Sequence, residues 1–220
     1  MIVLGIDTAT RVSSVAIVDG DRVLAEVDGD AKARGTDLLV LIDRACAAAG
    51  IAPSQLDAVA IGAGPGSFTS LRIGMATAKG IAFAAHKPLW AVSSLAALAA
   101  RAPAIGDERV AAVLDARRGE VYAAAFDVNG LFGEEHVMPP DQLASLGATR
   151  FVGDAGAAYP QLLALPGVWD ITPRGADVAK LALAGARVDV VVTAVPAYIR
   201  PAEAEILYPD GVPGAMKRRP

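Results

Sequence analysis

Short apolar blocks at 2–6, 12–18 and 22–27 predict three strands at the start of the chain. Asp19-Gly20 separates the last two and is a tight-turn pair, so those strands form a hairpin. The apolar spacing then becomes helical over 36–49 and stops at Gly50, in the place of a C-cap glycine. A buried strand at 58–61, a Gly/Pro loop, a helix over 69–85, a short strand at 89–92 and a helix from Ser94 follow. Three strands and then alternating helix and strand imply a mixed sheet with helices on both faces.

After a linker at 102–107 the pattern starts again. A strand at 109–114 ends at Asp115, as the first strand ends near Asp7. Asp19 and Asp127 each lie 12 residues further on, beyond an apolar strand, and each is followed by a turn, Asp19-Gly20 or Asn129-Gly130. A strand at 134–138, a helix from Pro140, a strand at 150–152 and a further helix complete the second copy. A duplication of this kind predicts two lobes of like topology facing each other across a cleft, the arrangement of the actin, hexokinase and Hsp70 class. The lobes are expected at 1–104 and 105–220, with the C-terminal segment free to pack back on the first.

Composition permits this fold and removes several alternatives. The 220 residues are 54% hydrophobic and 20% charged, enough to bury a core. No apolar run is long enough to cross a bilayer, and the N-terminus lacks the basic and small-residue signals of a leader, so a cytoplasmic protein is expected. One cysteine, Cys46, cannot form an internal disulfide, and it sits among alanines as a buried small hydrophobe would. A net charge of −4 argues against nucleic-acid binding by the surface at large, and Lys217-Arg218-Arg219 is the one dense basic run. Two histidines 50 residues apart supply neither a zinc site nor a Ser-His-Asp constellation, so no metal and no catalytic residue is expected.

Three stretches carry candidate chemistry. Gly5-Ile6-Asp7-Thr8-Ala9-Thr10 ends a strand with a carboxylate and hydroxyls at a turn, able either to hold phosphate and metal-bound water or simply to brace a hairpin. Residues 62–74 lead from a strand through glycines into a helix N-terminus, an anion site in principle, but lack the Gly-Lys-Ser/Thr of a phosphate loop. Asp115-Ala116-Arg117-Arg118-Gly119-Glu120-Val121-Tyr122 places two arginines and two acids on a hairpin beside the cleft, suited to phosphate or to pairing with its own acids. Gly153-Asp154-Ala155-Gly156 is a faint likeness of an adenosine-receiving glycine turn.

Together with Gly64-Pro65-Gly66-Ser67-Phe68-Thr69, Leu71-Arg72-Ile73-Gly74 and Tyr198-Ile199-Arg200-Pro201, these stretches resemble the TsaB (YeaZ) family over nearly the whole chain. The resemblance implies an α/β, actin-like (ASKHA) duplicated fold of two βββαβα lobes with mixed sheets. It implies a non-catalytic scaffold for forming N6-threonylcarbamoyladenosine at position 37 of tRNAs that read codons beginning with A. The expected partners are a TsaD-like transferase, which carries the metal, a TsaE-like ATPase, and tRNA through the complex. Asp7, Thr8, Asp115 and Arg118 then mark a degenerate nucleotide cleft, with no tightly bound cofactor and ATP or ADP only at a partner interface. Ser70 stands where the family usually has Gly, and Arg34-Gly35-Thr36-Asp37 where it often has His.

The competing function is a small-molecule kinase of the same fold, with Asp7 and Asp115 flanking ATP. A metallopeptidase fails on ligands. For the interface, Leu38, Leu41, Ile42 and Ala45 form one helical stripe, while Leu39, Val40 and Cys46 point elsewhere, with Asp43 beside them. Ser70, Gly74 and Ala78 form a stripe of small residues, fit either for close packing on the home sheet or for a partner helix. Leu39, Val40, Asp43, Ser70, Gly74 and Ala78 are the expected interface, homodimeric when the chain is alone.

Overall fold

A computed structural model describes residues 1–30 and 38–200. The expectations for Arg34-Gly35-Thr36-Asp37, for Pro201 and for the basic tail at 217–219 lie outside the described residues.

The first half contributes β1 (Ile2–Asp7), β2 (Ser14–Asp19), β3 (Arg22–Asp28), α1 (Leu38–Ala49), β4 (Ala58–Gly62), α2 (Phe68–Ala85), β5 (Leu89–Val92) and α3 (Ser94–Ala99). The second contributes β6 (Val110–Arg117), β7 (Glu120–Asp127), β8 (Gly130–Met138), β9 (Arg150–Gly153), β10 (Gly167–Trp169) and α4 (Gly175–Ala184). The sheets have the orders β3-β2-β1-β4-β5 and β10-β9-β6-β7-β8. In each, the first three strands form an antiparallel meander and the fourth lies parallel to the first. The fifth extends the parallel part. The duplication read from the aspartates is therefore a duplication of topology.

The copies differ outside the strands. Where the first has α1 and α2, the second has 3-10 turns at Pro140–Leu146, Ala155–Ala157 and Pro160–Ala164, so the helix expected from Pro140 is a 3-10 turn, while the further helix expected after β9 is present as α4. Two of these turns open on proline, which lacks an N–H to donate, and the first ends at Gly147 in the left-handed region, φ 63°.

Alternation along the strands assigns the layers. Leu4, Ile6, Val15 and Ile17 face α1 and α2, where Leu38, Leu41, Ile42, Cys46, Met75 and Ala78 meet them. Cys46 thus joins the buried stripe and does not point elsewhere. Val3, Ala16, Val18, Ala58 and Ala60 face the other way, onto Val178 and Ala179 of α4. In the second sheet Val110, Ala112, Leu114 and Tyr122 receive Leu95 and Leu98 of α3, and Val113 and Ala123 face the 3-10 turns. Each half thus places its last helix against the other half's sheet, and α3 and α4 touch between them.

Beyond α4 the chain returns along the first lobe. Asp189 accepts from Leu89 N at 3.0 Å, Val190 N donates to Leu89 O at 2.8 Å, Lys79 Nζ donates to Val192 O at 3.2 Å, and Ala197 N donates to Ala63 O at 2.7 Å. The strap ends at the second lobe, where Arg200 donates to Ala116 O at 2.7 Å and pairs with Glu120.

If α3 belongs to the layer between the sheets, Leu98→Ala leaves a cavity there and costs about 2–5 kcal/mol. Ile105→Ala, at a side chain 76% exposed, should stay within about 0.5 kcal/mol of the parent. Urea titration of the two variants reads the difference, and equal midpoints would contradict the layering.

Candidate functional site

Both lobes present the turn after their first strand to a cleft of about 820 Å³. Its walls include Thr10 and Arg11 from the β1–β2 turn, residues 66–70 and Arg72 from the start of α2, and the β6–β7 hairpin. Asp154, Tyr198 and Arg200 complete it. A smaller cavity of about 300 Å³ continues past Asp115 and Asp154 to Asp170.

Asp7 and Thr8 do not line this cleft. Asp7 is wholly buried. Its Oδ1 accepts from Ala9 N at 2.8 Å and its Oδ2 from Ser94 Oγ at 2.6 Å. A side chain at Gly62 would put its Cβ 2.0 Å from Asp7 Oδ2, so β4 closes over the carboxyl only because residue 62 is glycine. Burial lifts the Asp7 carboxyl from its ordinary 3.8 to about 6, against the two hydrogen bonds, which lower it. Thr8 turns onto α2, donating to Ser70 O at 2.9 Å. The sequence expectation that these two side chains face the cleft is corrected: the sheet and α2 enclose them.

Asp115 and Arg118 do line it. Asp115 N donates to Asp154 Oδ1 at 3.0 Å, and Asp115 accepts from Arg117 N at 2.7 Å and pairs with its guanidinium at 2.9 Å. Asp154, half-buried on the cleft floor, has its carboxyl raised above the usual range by desolvation. The hairpin tip is unusual in its backbone. Arg117, Arg118 and Gly119 all have positive φ, 62°, 58° and 82°. At the other two hairpins the left-handed position belongs to a glycine, Gly20 or Gly130. A side chain there costs roughly 1–2 kcal/mol, so two arginines are held at the mouth against local preference.

On the opposite wall Arg72 lies 3.8 Å from the centroid of Phe68 and donates to Tyr198 Oη at 3.0 Å. The Phe68 and Tyr198 rings are 5.0 Å apart. Arg11, Arg72 and Tyr198 were not expected as site residues. Tyr198 is 126 positions from Arg72, and only the strap brings it there.

The donors of a metal–triphosphate cradle are otherwise engaged. Ala9 N is held by Asp7, Val12 N donates to Thr10 Oγ1, Ser67 N donates to Ala9 O, and Asp115 N is held by Asp154. Of the two carboxylates the kinase reading needs, Asp7 is sealed, and among the described residues no three His, Cys, Asp or Glu side chains converge as ligands. With Asp7 enclosed and these amides engaged, the turns after β1 and β6 offer the kinase reading little with which to cradle a phosphate.

The expected interface divides in two. Leu39, Val40 and Asp43 are exposed on α1. Gly74 and Ala78 are buried, and a Cβ at Gly74 would lie 2.2 Å from Thr8 Oγ1. Ser70 is half-buried, its hydroxyl donating to Ser67 Oγ at 3.0 Å. The small stripe therefore packs on its own lobe, which corrects Gly74 and Ala78 as docking residues. The outward face of α2 carries Ile73, Ala76, Gly80 and Phe83 instead, with Ile73 54% and Phe83 74% exposed.

A family model described as "TsaD: tRNA N6-adenosine threonylcarbamoyltransferase" matches residues 31–191. The chain is 37% identical, over 74% of its length and 75% of the relative's, to the tRNA threonylcarbamoyladenosine biosynthesis protein TsaB of Escherichia coli (strain K12). The structure of YeaZ from Pseudomonas aeruginosa superposes with a TM-score of 0.74 at 33% identity, covering 90% of this chain and 99% of that one. The activator of the 2-hydroxyisocaproyl-CoA dehydratase from Clostridium difficile, with bound ADPNP, superposes at a TM-score of 0.52 and 10% identity. It covers 84% of this chain and 95% of its own, a likeness of fold alone.

Because burial makes the Asp7 carboxyl keep its proton to about pH 6, the folded chain holds a proton that the unfolded chain has released above pH 4. The Asp7 contribution to stability therefore falls as pH rises through that window, by up to about 3 kcal/mol. Glu135, Asp154 and Asp177 are raised too and act in the same direction, so the comparison must be with Asp7→Asn. Between pH 4.5 and 7.5 the parent should lose more stability to urea than Asp7→Asn does. Parallel pH profiles would mean that Asp7 is not the buried acid described.

Proposed function

Because the chain belongs to the TsaB (YeaZ) family and so serves tRNA threonylcarbamoyladenosine biosynthesis, we propose that it acts there as a partner subunit and not as the catalyst. In this reading it docks a TsaD-like transferase through α1 and α2, and the transferase modifies position 37 of tRNAs that read codons beginning with A. A TsaE-like ATPase joins the same assembly, and alone the chain pairs with a second copy through the same face. Its place of action is the cytoplasm.

The observation that carries the reading is the apolar outer face of two adjacent helices. Val40 on α1 and Ile73 and Phe83 on α2 are each more than half exposed. Alanine and glycine lie between the two α2 side chains, so another helix can come close to the backbone there. Support for a non-catalytic role comes from the sealed Asp7 carboxyl and from cleft amides already bonded within the chain. Codon choice follows from the tRNA substrate of the pathway and has no counterpart in the cleft.

Co-purification with a TsaD-type transferase tests this. Phe83→Asp and Ile73→Asp place a charge on the proposed interface without touching the core, and each should reduce capture at least tenfold while the urea midpoint stays where it was. Undiminished capture by both would place the interface elsewhere. Threonylcarbamoyl transfer by the isolated chain would refute the non-catalytic role.

A further inference from the structure

The cleft has a chemistry that the partner-subunit reading does not use. It is lined by five arginines and only two aspartates, in a protein whose net charge is −4. The two signs are also separated in depth. Asp115 and Asp154 form the floor, where the Asp115 side chain is only 10% exposed, whereas Arg11, Arg117 and Arg118 stand exposed at the rim. Phe68 and Tyr198 are 36% and 42% exposed on the facing rim. A compact polyphosphate entering deeply would meet carboxylates and spent amides. A chain lying across the mouth would meet guanidinium groups on one side and an aromatic pair on the other.

We propose that this mouth is a metal-independent binding platform for an unpaired stretch of RNA. A phosphodiester lies against Arg11 and the Arg117–Arg118 tip, and a neighbouring base stacks on the Tyr198–Phe68 pair that Arg72 braces. Guanidinium groups with exposed aromatics are the combination by which single strands are held without reading every base. The left-handed backbone at Arg117 and Arg118 supports it independently. At the Asn129-Gly130 hairpin only the glycine has positive φ, whereas here two arginines hold that backbone at the rim although glycine or asparagine would turn the chain with less strain. The proposal rests on the reading above in that the pathway's substrate is a tRNA, and it names what this chain contributes to holding it.

The test uses the full chain alone, with a fluorescein-labelled, unstructured RNA nonamer, in EDTA, by fluorescence anisotropy. Binding is expected at 50 mM salt and should weaken at 200 mM, as phosphate contacts do. Arg11→Ala, Arg118→Asn and Tyr198→Ala should each lower affinity at least fivefold, while Tyr198→Phe keeps it. Arg118→Lys, which keeps the charge at the rim, should retain most of the affinity that Arg118→Asn loses. An arginine needed only for the fold would show no such difference between two variants of equal urea midpoint. No binding at 200 µM protein, binding that needs Mg²⁺, ATP competing as well as unlabelled nonamer, or affinity untouched by all three substitutions would each overturn the proposal. Because no partner is present, its failure leaves the transferase-capture result standing, and the reverse holds.

Discussion

Two helices caught between two sheets organise this molecule. Each sheet has two apolar faces, and the inner ones are covered by a shared layer, α3 from the first half on the second sheet and α4 from the second half on the first. Neither half can complete its core from its own sequence. The approach of α4 is close enough that a Cβ on Gly5 would lie 2.0 Å from Gly175 O, so two glycines set the spacing between that helix and the central strand. The cleft is what remains at the end of this layer, where β1 and β6 both stop and turn.

Duplication followed by divergence is visible in the two aspartates that end those strands. Asp7 meets Gly62 and Ser94, which close over it, and it becomes an internal brace joining β1 to the start of α3. Asp115 has Asp154 and Arg117 for neighbours and stays at the cleft. Equivalent positions in the fold have thus been given to stability in one lobe and to surface chemistry in the other. The fates differ because of the residues around each aspartate, Gly62 and Ser94 in one case and Asp154 and Arg117 in the other.

Much of the fold was legible in the sequence because it is local. Alternating strands, the Asp19-Gly20 turn and the glycine at position 50 need only neighbouring residues to act. The long α2 is plain from its periodicity. The facing of that helix was less so: Ser70, Gly74 and Ala78 form a small stripe whichever way it points, and only the position of Thr8 shows that it points inward. The wall of the cleft was least legible. Phe68, Arg72 and Tyr198 meet through a chain path of more than a hundred residues, and no spacing rule connects them. In the second lobe, Pro140 stands where a helix start would place it, so the sequence did not separate the 3-10 turn found there from a regular helix.

The strap from Asp189 to Arg200 makes the end of the described chain a clasp. It is fastened to β5, α2 and the loop after β4 on one lobe, and through Arg200 to Ala116 and Glu120 on the other. Swinging of the lobes about the linker would have to undo the Arg200 contacts as well as the packing of α3 and α4. The cleft is therefore tied at its rim as well as along the layer between the sheets. Salt, a competing anion or a partner surface drawing Glu120 away would release that one tie at the rim while leaving the buried layer in place.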